Sequence, residues 1–233
     1  MEAALTAGFR VTARDIEMLR WIGRLRFAEA NQVARRFAMD ERNAYRRLRG
    51  LVAGELVSHH RVFHAMPGAY SATPAGLLCA GLGLPRPRLD IRTYAHDRAA
   101  ASVAIELEAE FGPAALRTER ELRSHDSGDP QRPRYAVRRG YERGRGGLHF
   151  PDLAVELDAG RPLAVEIELS AKGARRLDSI VRAYVGGRHL DSVRYYAAPA
   201  ALGAVARAVD RAGAQDLFDI RALEERWTLP AHS

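Results

Sequence analysis

The chain has 233 residues, is 47% hydrophobic and carries a formal charge of +7 at pH 7, enough apolar content for one large or two small cores. No apolar run nears the about 18 residues needed to cross a bilayer, and the opening Met1-Glu2-Ala3-Ala4 lacks the charged-then-apolar design of a secretion signal, so a cytoplasmic chain without membrane contact is expected. A single cysteine, Cys79, excludes an internal disulfide and a thiolate zinc centre.

The charge is uneven. Residues 1–92 hold 15 Arg against 8 Asp and Glu, whereas residues 93–233 hold 21 basic against 21 acidic side chains. An excess confined to the first part predicts a polyanion partner there, with acids needed for something else further on.

Thr12 and Asp15 form a capping-box pattern at the start of a helix in which Ile16, Leu19, Ile22 and Leu25 recur at helical spacing. A second helix carries Ala30, Val33, Ala34 and Phe37 on one face. Met39-Asp40-Glu41 opens a third, with Ala44, Leu48, Leu51 and Val52 inward and Arg42, Arg46 and Arg49 outward, beside Asn43 and Arg47. After Gly54 come two extended runs, Leu56 to Phe63 and Ala69 to Ala72, joined by a turn at Met66-Pro67-Gly68. Three helices followed by a β-hairpin predict a winged helix-turn-helix whose third helix reads the major groove of double-stranded DNA through Arg42, Asn43, Arg46, Arg47 and Arg49. His60, in the hairpin, is expected to touch DNA as part of the wing. His59, His60 and His64 do not suggest a metal site, because strand alternation sends His59 and His60 to opposite faces. Thr73-Pro74 begins a short helix. Leu82 to Arg92 reads as a linker, giving domains at 1–88 and 89–233.

In the second part, Tyr94 to Phe111 is predicted helical and Ala115 to Arg123 strand-like. Ser124 to Gly147, with six Arg from Arg132 to Arg145, reads as a basic excursion that either is merely solvated or contacts DNA. Two strands then flank Asp158-Ala159-Gly160. Alternation puts Leu163, Val165, Ile167 and Leu169 on one face and Glu166 and Glu168 on the other, and likewise separates Leu153 and Val155 from Asp152 and Glu156. A tight hairpin sets Asp152 across from Glu166, so several carboxylates share a patch that needs a counter-charge. The predicted helix 171–188 turns Leu177, Ile180, Val181 and Tyr184 inward and keeps Lys172, Arg175 and Arg182 on a basic face. All but one of the 36 basic residues are arginine, the exception being Lys172. An ammonium can shift its pKa and act as a compact point charge on a water or phosphate, so a sole lysine near paired acids suggests chemistry. Asp191 to Ala197 reads as a strand and Pro199 to Ala212 as a helix.

The order of helix, three strands with an acidic hairpin, helix and strand, together with Pro151-Asp152 and Glu166-Ile167-Glu168, resembles the PD-(D/E)XK (restriction-endonuclease-like) nuclease superfamily. The fold class expected is thus α+β, a winged helix followed by an α/β domain with a mixed sheet. The resemblance implies a divalent metal, Mg²⁺ or Mn²⁺, held by Asp152 and Glu166, and a lysine handling the attacking water. Glu168 stands where that lysine is expected, and Lys172, in the following helix, would supply it. Glu119 resembles the upstream acid some members add, with Glu121 the weaker candidate. Over roughly residues 10–210 the layout, the Thr118-Glu119-Arg120-Glu121-Leu122 run and the acidic hairpin are similar to the replication-relaxation family of actinobacterial plasmids and mobile elements. That likeness implies a role in plasmid replication, DNA relaxation or mobilisation, with replication or mobilisation proteins as partners; a homodimer is a separate expectation. Two readings stay open: a metal-dependent nuclease or nickase, and a non-catalytic DNA-binding regulator with a degenerate nuclease fold. An adaptor that binds no DNA leaves the localised arginine excess unexplained.

Overall fold

At the start of the first helix the Asp15 carboxylate accepts from the Thr12 amide (2.9 Å) and the Thr12 hydroxyl accepts from the Asp15 amide (3.3 Å), the reciprocal cap that the sequence suggests. The structure is a computed structural model and describes residues 10–64, 66–140, 147–158, 160–170 and 173–224. It divides into two compact units, Met1–Ile105 and Glu106–Ser233. The boundary expected at 88/89 precedes this division, which falls inside a helix.

In the first unit, α1 (Ala13–Arg24) is followed by β1 (Ala28–Glu29), α2 (Ala30–Arg36), α3 (Glu41–Ala53), β2 (Val57–His60), β3 (Ala69–Ala72) and α4 (Pro74–Cys79). The three strands form an antiparallel sheet in the order β1-β3-β2, with Ala28 opposite Tyr70 and Val57 opposite Ala72. Met18, Leu19 and Ile22 of α1, Val33 of α2, and Ala44, Leu48 and Leu51 of α3 fill the core with Val57, Tyr70 and Ala72. β1 is too short to show a period of two, and periodicity alone misses it. Asp40 caps α3 by accepting from the Asn43 amide (2.8 Å), a bond that holds the Asp40 carboxyl below the usual carboxylate range. Gly76 of α4 lies so close to the Leu56 carbonyl that an added Cβ would come within 1.9 Å of that oxygen.

α5 (Tyr94–Phe111) spans the predicted limits. Its N-terminal half helps to satisfy a buried charge. Both carboxylate oxygens of Glu29, which is fully buried, accept from the Arg98 Nε, at 2.9 and 3.0 Å, and Tyr94 stacks on Phe27 with ring centres 4.6 Å apart. Gln32, also buried, donates to the Arg98 carbonyl (2.8 Å) and to Ser102 (2.9 Å).

The second unit is built on a mixed five-stranded sheet in the order β10-β9-β8-β7-β4. β4 is Leu116–Thr118, β5 Val137–Arg138, β6 Leu148–His149, β7 Leu153–Val155, β8 Leu163–Glu168, β9 Ser192–Ala197 and β10 Phe218–Ala222. β4, β7 and β8 run antiparallel to one another, and β8, β9 and β10 run parallel. The parallel steps are made through α7 (Ala174–Gly186) and α8 (Pro199–Ala212), as parallel pairing requires a long crossover. Leu177, Ile180, Val181 and Tyr184 of α7 pack on Ala164, Val193 and Tyr195 of the sheet. β5 and β6 form a separate two-stranded ribbon. The chain is therefore mixed α+β, with eight α-helices among the described residues.

The expected strand 115–123 needs correction. It ends at Thr118, and α6 (Glu119–Asp126) follows. Thr118 caps that helix, and the Glu121 carboxylate accepts from its amide (2.8 Å) and hydroxyl (3.1 Å). The Thr-x-x-Glu pattern outweighs the brief apolar alternation. Glu121 thus serves a helix end.

Arg98→Met would leave Glu29 charged and buried. A loss of about 3–5 kcal/mol in urea unfolding is expected, with part recovered when Glu29→Gln is added because no uncompensated charge remains.

Candidate functional site

β7 and β8 pair with Leu153 opposite Val165 and Val155 opposite Leu163, so one step further the register sets Asp152 beside Glu166. Two bonds lock this step: the Asp152 amide donates to the Val165 carbonyl (3.0 Å), and the Ile167 amide donates to the Asp152 carboxylate (2.8 Å). Across β8 and β9, Glu166 lies opposite Tyr195 and Glu168 opposite Ala197. Asp152, Glu166 and Tyr195 therefore form a row across three strands. The connection from β7 to β8 is longer than the three residues Asp158-Ala159-Gly160, and Gly160 takes the left-handed conformation (φ 84°) that glycine adopts without steric cost.

The acids do not form an exposed patch. Glu166 and Glu168 are each 3% exposed, because β8 is the middle strand and is covered on both faces. Burial of carboxylates demands donors. Tyr184 of α7 donates its hydroxyl to Glu166 Oε1, and the Nε2 of His149, on β6, lies 2.8 Å from the same oxygen. Burial, and then the Glu166 charge, push the Tyr184 phenol well above its ordinary pKa, so it remains a neutral donor. Tyr195 is raised in the same way, by burial first and then by Glu166, Glu168 and Asp152. Its hydroxyl is buried and has no hydrogen-bond partner among the described residues.

The other candidates fall in different places. Glu156, expected to share the acidic patch, sits two turns of the pleat away from Asp152 and is held by Arg134 (2.5 Å) and the Tyr135 hydroxyl. Glu119 donates its amide to the Asp152 carbonyl (3.0 Å) and pairs its carboxylate with Arg123 (2.7 Å), which draws it along α6. Lys172 lies outside the described residues, as do residues 141–146 of the arginine-rich run. Arg175 and Arg182 are exposed on α7. Among the described residues no group of three or more His, Cys, Asp or Glu side chains is arranged to hold a metal. What the site offers a cation is the oxygen pair Asp152 and Glu166, with Glu168 two positions along the strand. That set suits a hard ion such as Mg²⁺, which is commonly held by one or two carboxylates and completes its shell with water and phosphate oxygens.

In the first unit the five α3 residues separate into two groups. Arg47 donates to the buried carboxylate of Asp15 (2.9 Å), and Asn43 donates its side-chain amide to Asp40, so both are committed to the fold. Arg42, Arg46 and Arg49 are exposed and, among the described residues, have no ion-pair partner. Their spacing of four and then three residues makes one stripe on α3. In the hairpin His60 is partly buried, 2.9 Å from the Ser71 hydroxyl, and burial lowers its pKa. His59 is the exposed member and stacks on Tyr70 at 4.7 Å. Sequence reasoning missed His149, since β6 pairs with β5 and not with the acidic strands, and it read Tyr184 as a core residue only.

No family model matches this sequence, and a search of curated proteins finds no match.

Tyr195→Phe should leave the second unit equally or more stable at pH 7, by up to ~1–3 kcal/mol, since it removes a buried hydroxyl without a partner among the described residues. Tyr184→Phe should destabilise it, because Glu166 loses a donor. Both phenols titrate higher in the folded than in the unfolded chain. Their contribution is complete below about pH 10 and is lost as pH rises beyond it, at up to ~1.4 kcal/mol per pH unit for each tyrosine. Urea midpoints measured from pH 8 to 11 should fall less steeply in either Phe variant.

Proposed function

We propose that the chain is a DNA-binding protein whose first unit is a winged helix and whose second is a PD-(D/E)XK-like domain acting as a metal-dependent nuclease or nickase. The observation that carries the reading is the register that seats Asp152 beside Glu166 on the antiparallel hairpin, ahead of a crossover helix and a parallel strand. Support for the first unit comes from the order β1-β3-β2 behind three helices, and from the exposed arginine stripe on α3. A third helix bearing Arg42, Arg46 and Arg49 on its open face suits a groove lined with phosphates. The likeness to the replication-relaxation family supports a role for this activity in plasmid or mobile-element replication, relaxation or mobilisation.

Asp152 and Glu166 would hold the cation, Mg²⁺ or Mn²⁺, and each is already oriented through one oxygen, Asp152 by the Ile167 amide and Glu166 by Tyr184 and His149. Such outer hydrogen bonds fix a ligand's direction. The bound ion would supply charge neutralisation on a phosphate and an activated water. Lys172 would orient that water in place of the lysine for which Glu168 is substituted.

A regulator without turnover is the second reading. It is favoured by the buried Glu168 at the lysine position and by the hydrogen bonds that already occupy Glu166 Oε1.

Gel shifts with Arg42→Ala, Arg46→Ala and Arg49→Ala, singly and combined, test DNA binding. Affinity should fall for every sequence, and the slope of log affinity on log salt should flatten by about 1 for each phosphate that is no longer neutralised. Unchanged affinity in the triple variant would refute this surface. Asp152→Asn should abolish calorimetric Mn²⁺ binding and any cleavage of supercoiled plasmid in Mg²⁺. A wild-type chain that neither binds Mn²⁺ nor cuts would leave the regulator reading in its place.

A further inference from the structure

Between residues 132–138 and the end of α7 lies an open cleft of ≈ 410 Å³. Three arginines line it, Arg132, Arg138 and Arg182, with His189, Ala136 and Ala183 among the remaining walls. Among the described residues no acidic side chain lines it. Of the carboxylates close by in the chain, Asp178 takes Arg211 (2.5 Å), Asp126 is buried beneath the amides of Arg134, Tyr135 and Ala136, and Asp129 is held by the backbone amides of Gln131 and Arg132 outside the lining. Among the described residues none of the three arginines has an ion-pair partner. Arg138 is anchored, donating to the Pro130 (3.1 Å) and Gln131 (2.9 Å) carbonyls, which fixes one guanidinium at the wall. The His189 ring lies 3.0 Å from the Ala136 carbonyl and ties the floor of the cleft to the same segment.

Three like charges around one concavity repel each other unless an anion sits among them. A planar guanidinium presents paired N–H donors that match two phosphate oxygens at once. Ala136, Ala183 and Pro133 give no stacking face, no Phe, Tyr or Trp among the described residues lines the cleft, and the His189 ring is tied to the Ala136 carbonyl (3.0 Å). A free nucleotide would therefore gain little beyond its phosphate, whereas a polynucleotide passing through an open cleft presents successive phosphates to all three arginines.

We propose that this cleft seats the phosphodiester backbone of DNA, as a contact surface separate from α3. The inference rests on the DNA-binding reading and adds a site that the arginine stripe of the first unit does not contain. The cleft is also joined to the acids through a short run of the fold. Arg138 is the neighbour of Val137, Val137 pairs with His149 across β5 and β6, and His149 bonds Glu166.

The test measures anisotropy of a labelled DNA duplex and of a labelled single strand against salt, with the full-length chain. Arg132→Ala/Arg182→Ala is introduced both into the wild type and into the Arg42→Ala/Arg46→Ala/Arg49→Ala background. In the α3-deficient background, where the remaining affinity belongs to other surfaces, the double change should weaken binding by about tenfold or more and flatten the salt slope by about 2. Arg132→Lys/Arg182→Lys should recover part of the affinity, because charge returns without the forked geometry. Both arginines are exposed, and an unchanged urea midpoint shows that the fold is retained. If the double change leaves affinity and slope as they were in both backgrounds, the cleft does not hold DNA. If AMP or inorganic phosphate binds the cleft calorimetrically while DNA binding is unaffected by the substitutions, the site takes a small phosphate ligand and the proposal falls. Weaker binding through the cleft variants with no change through α3 would overturn the α3 surface and leave the cleft standing; the reverse pattern would do the opposite.

Discussion

Glu166 is a carboxylate buried in the central strand of a sheet, and two separate pieces of the second unit are arranged around that fact. Desolvating a carboxylate is costly unless donors take the place of water. Here they come from α7, through Tyr184, and from β6, through His149. α7 is also the crossover that allows β8 and β9 to run parallel, so the helix that builds the sheet also caps its acid. The β5–β6 ribbon stands outside the five-stranded sheet, and His149 gives it a direct attachment there. Moving β8 by one residue would turn Glu166 and Glu168 to the opposite face, away from both donors. Register, helix seating and polar satisfaction therefore support one another.

The sequence made the parity of this hairpin readable, because alternation depends only on the backbone period and not on what surrounds the strand. For that reason it sets Asp152 against Glu166, as the strand register does. It does not report their burial, since β8 is flanked in the sheet by β7 and β9 and the Glu166 face is covered by α7, and no local pattern shows that packing. Similar limits explain the other differences. Glu156 has the parity of Asp152 but the reach of Arg134 and Tyr135, which lie 22 and 21 residues earlier. Glu119 and Glu121 looked like strand acids until the Thr118 cap turned the chain into a helix. β1, β5 and β6, two residues each, offer too few positions for any period to register. Helices fared better: α5 and α8 match their predicted ranges because three or more turns of apolar spacing average out local exceptions.

Arginine on a helix face was an ambiguous sign, and hydrogen bonds within the first unit narrow it. Arg47 looked equivalent to Arg46 in the sequence, but one position of rotation carries it to Asp15, whose carboxylate is itself part of the α1 cap. One guanidinium thus joins α1 to α3 and neutralises a buried acid, while Arg42, Arg46 and Arg49 are left to the solvent side. A helix surface with charge on one stripe and apolar residues on the opposite one gives both the core and the open face their shape.

The donors at Glu166 are a phenol and an imidazole rather than an arginine. An arginine beside Glu166 would cancel its charge permanently and hold it with a strong paired interaction. The Tyr184 phenol, kept protonated by burial, is a neutral donor to Glu166 Oε1, and His149 shares that oxygen as an ion-pair partner when its ring is protonated. Asp152 is treated alike, through the neutral Ile167 amide. In the same unit, Arg132, Arg138 and Arg182 stand around a cleft that the β5–β6 ribbon links to Glu166, and no carboxylate among the described residues answers their charge there. Under the proposed function these arginines would take the phosphate backbone and the Asp152–Glu166 pair its divalent counter-ion, so that one unit would hold both halves of a phosphate–metal pair.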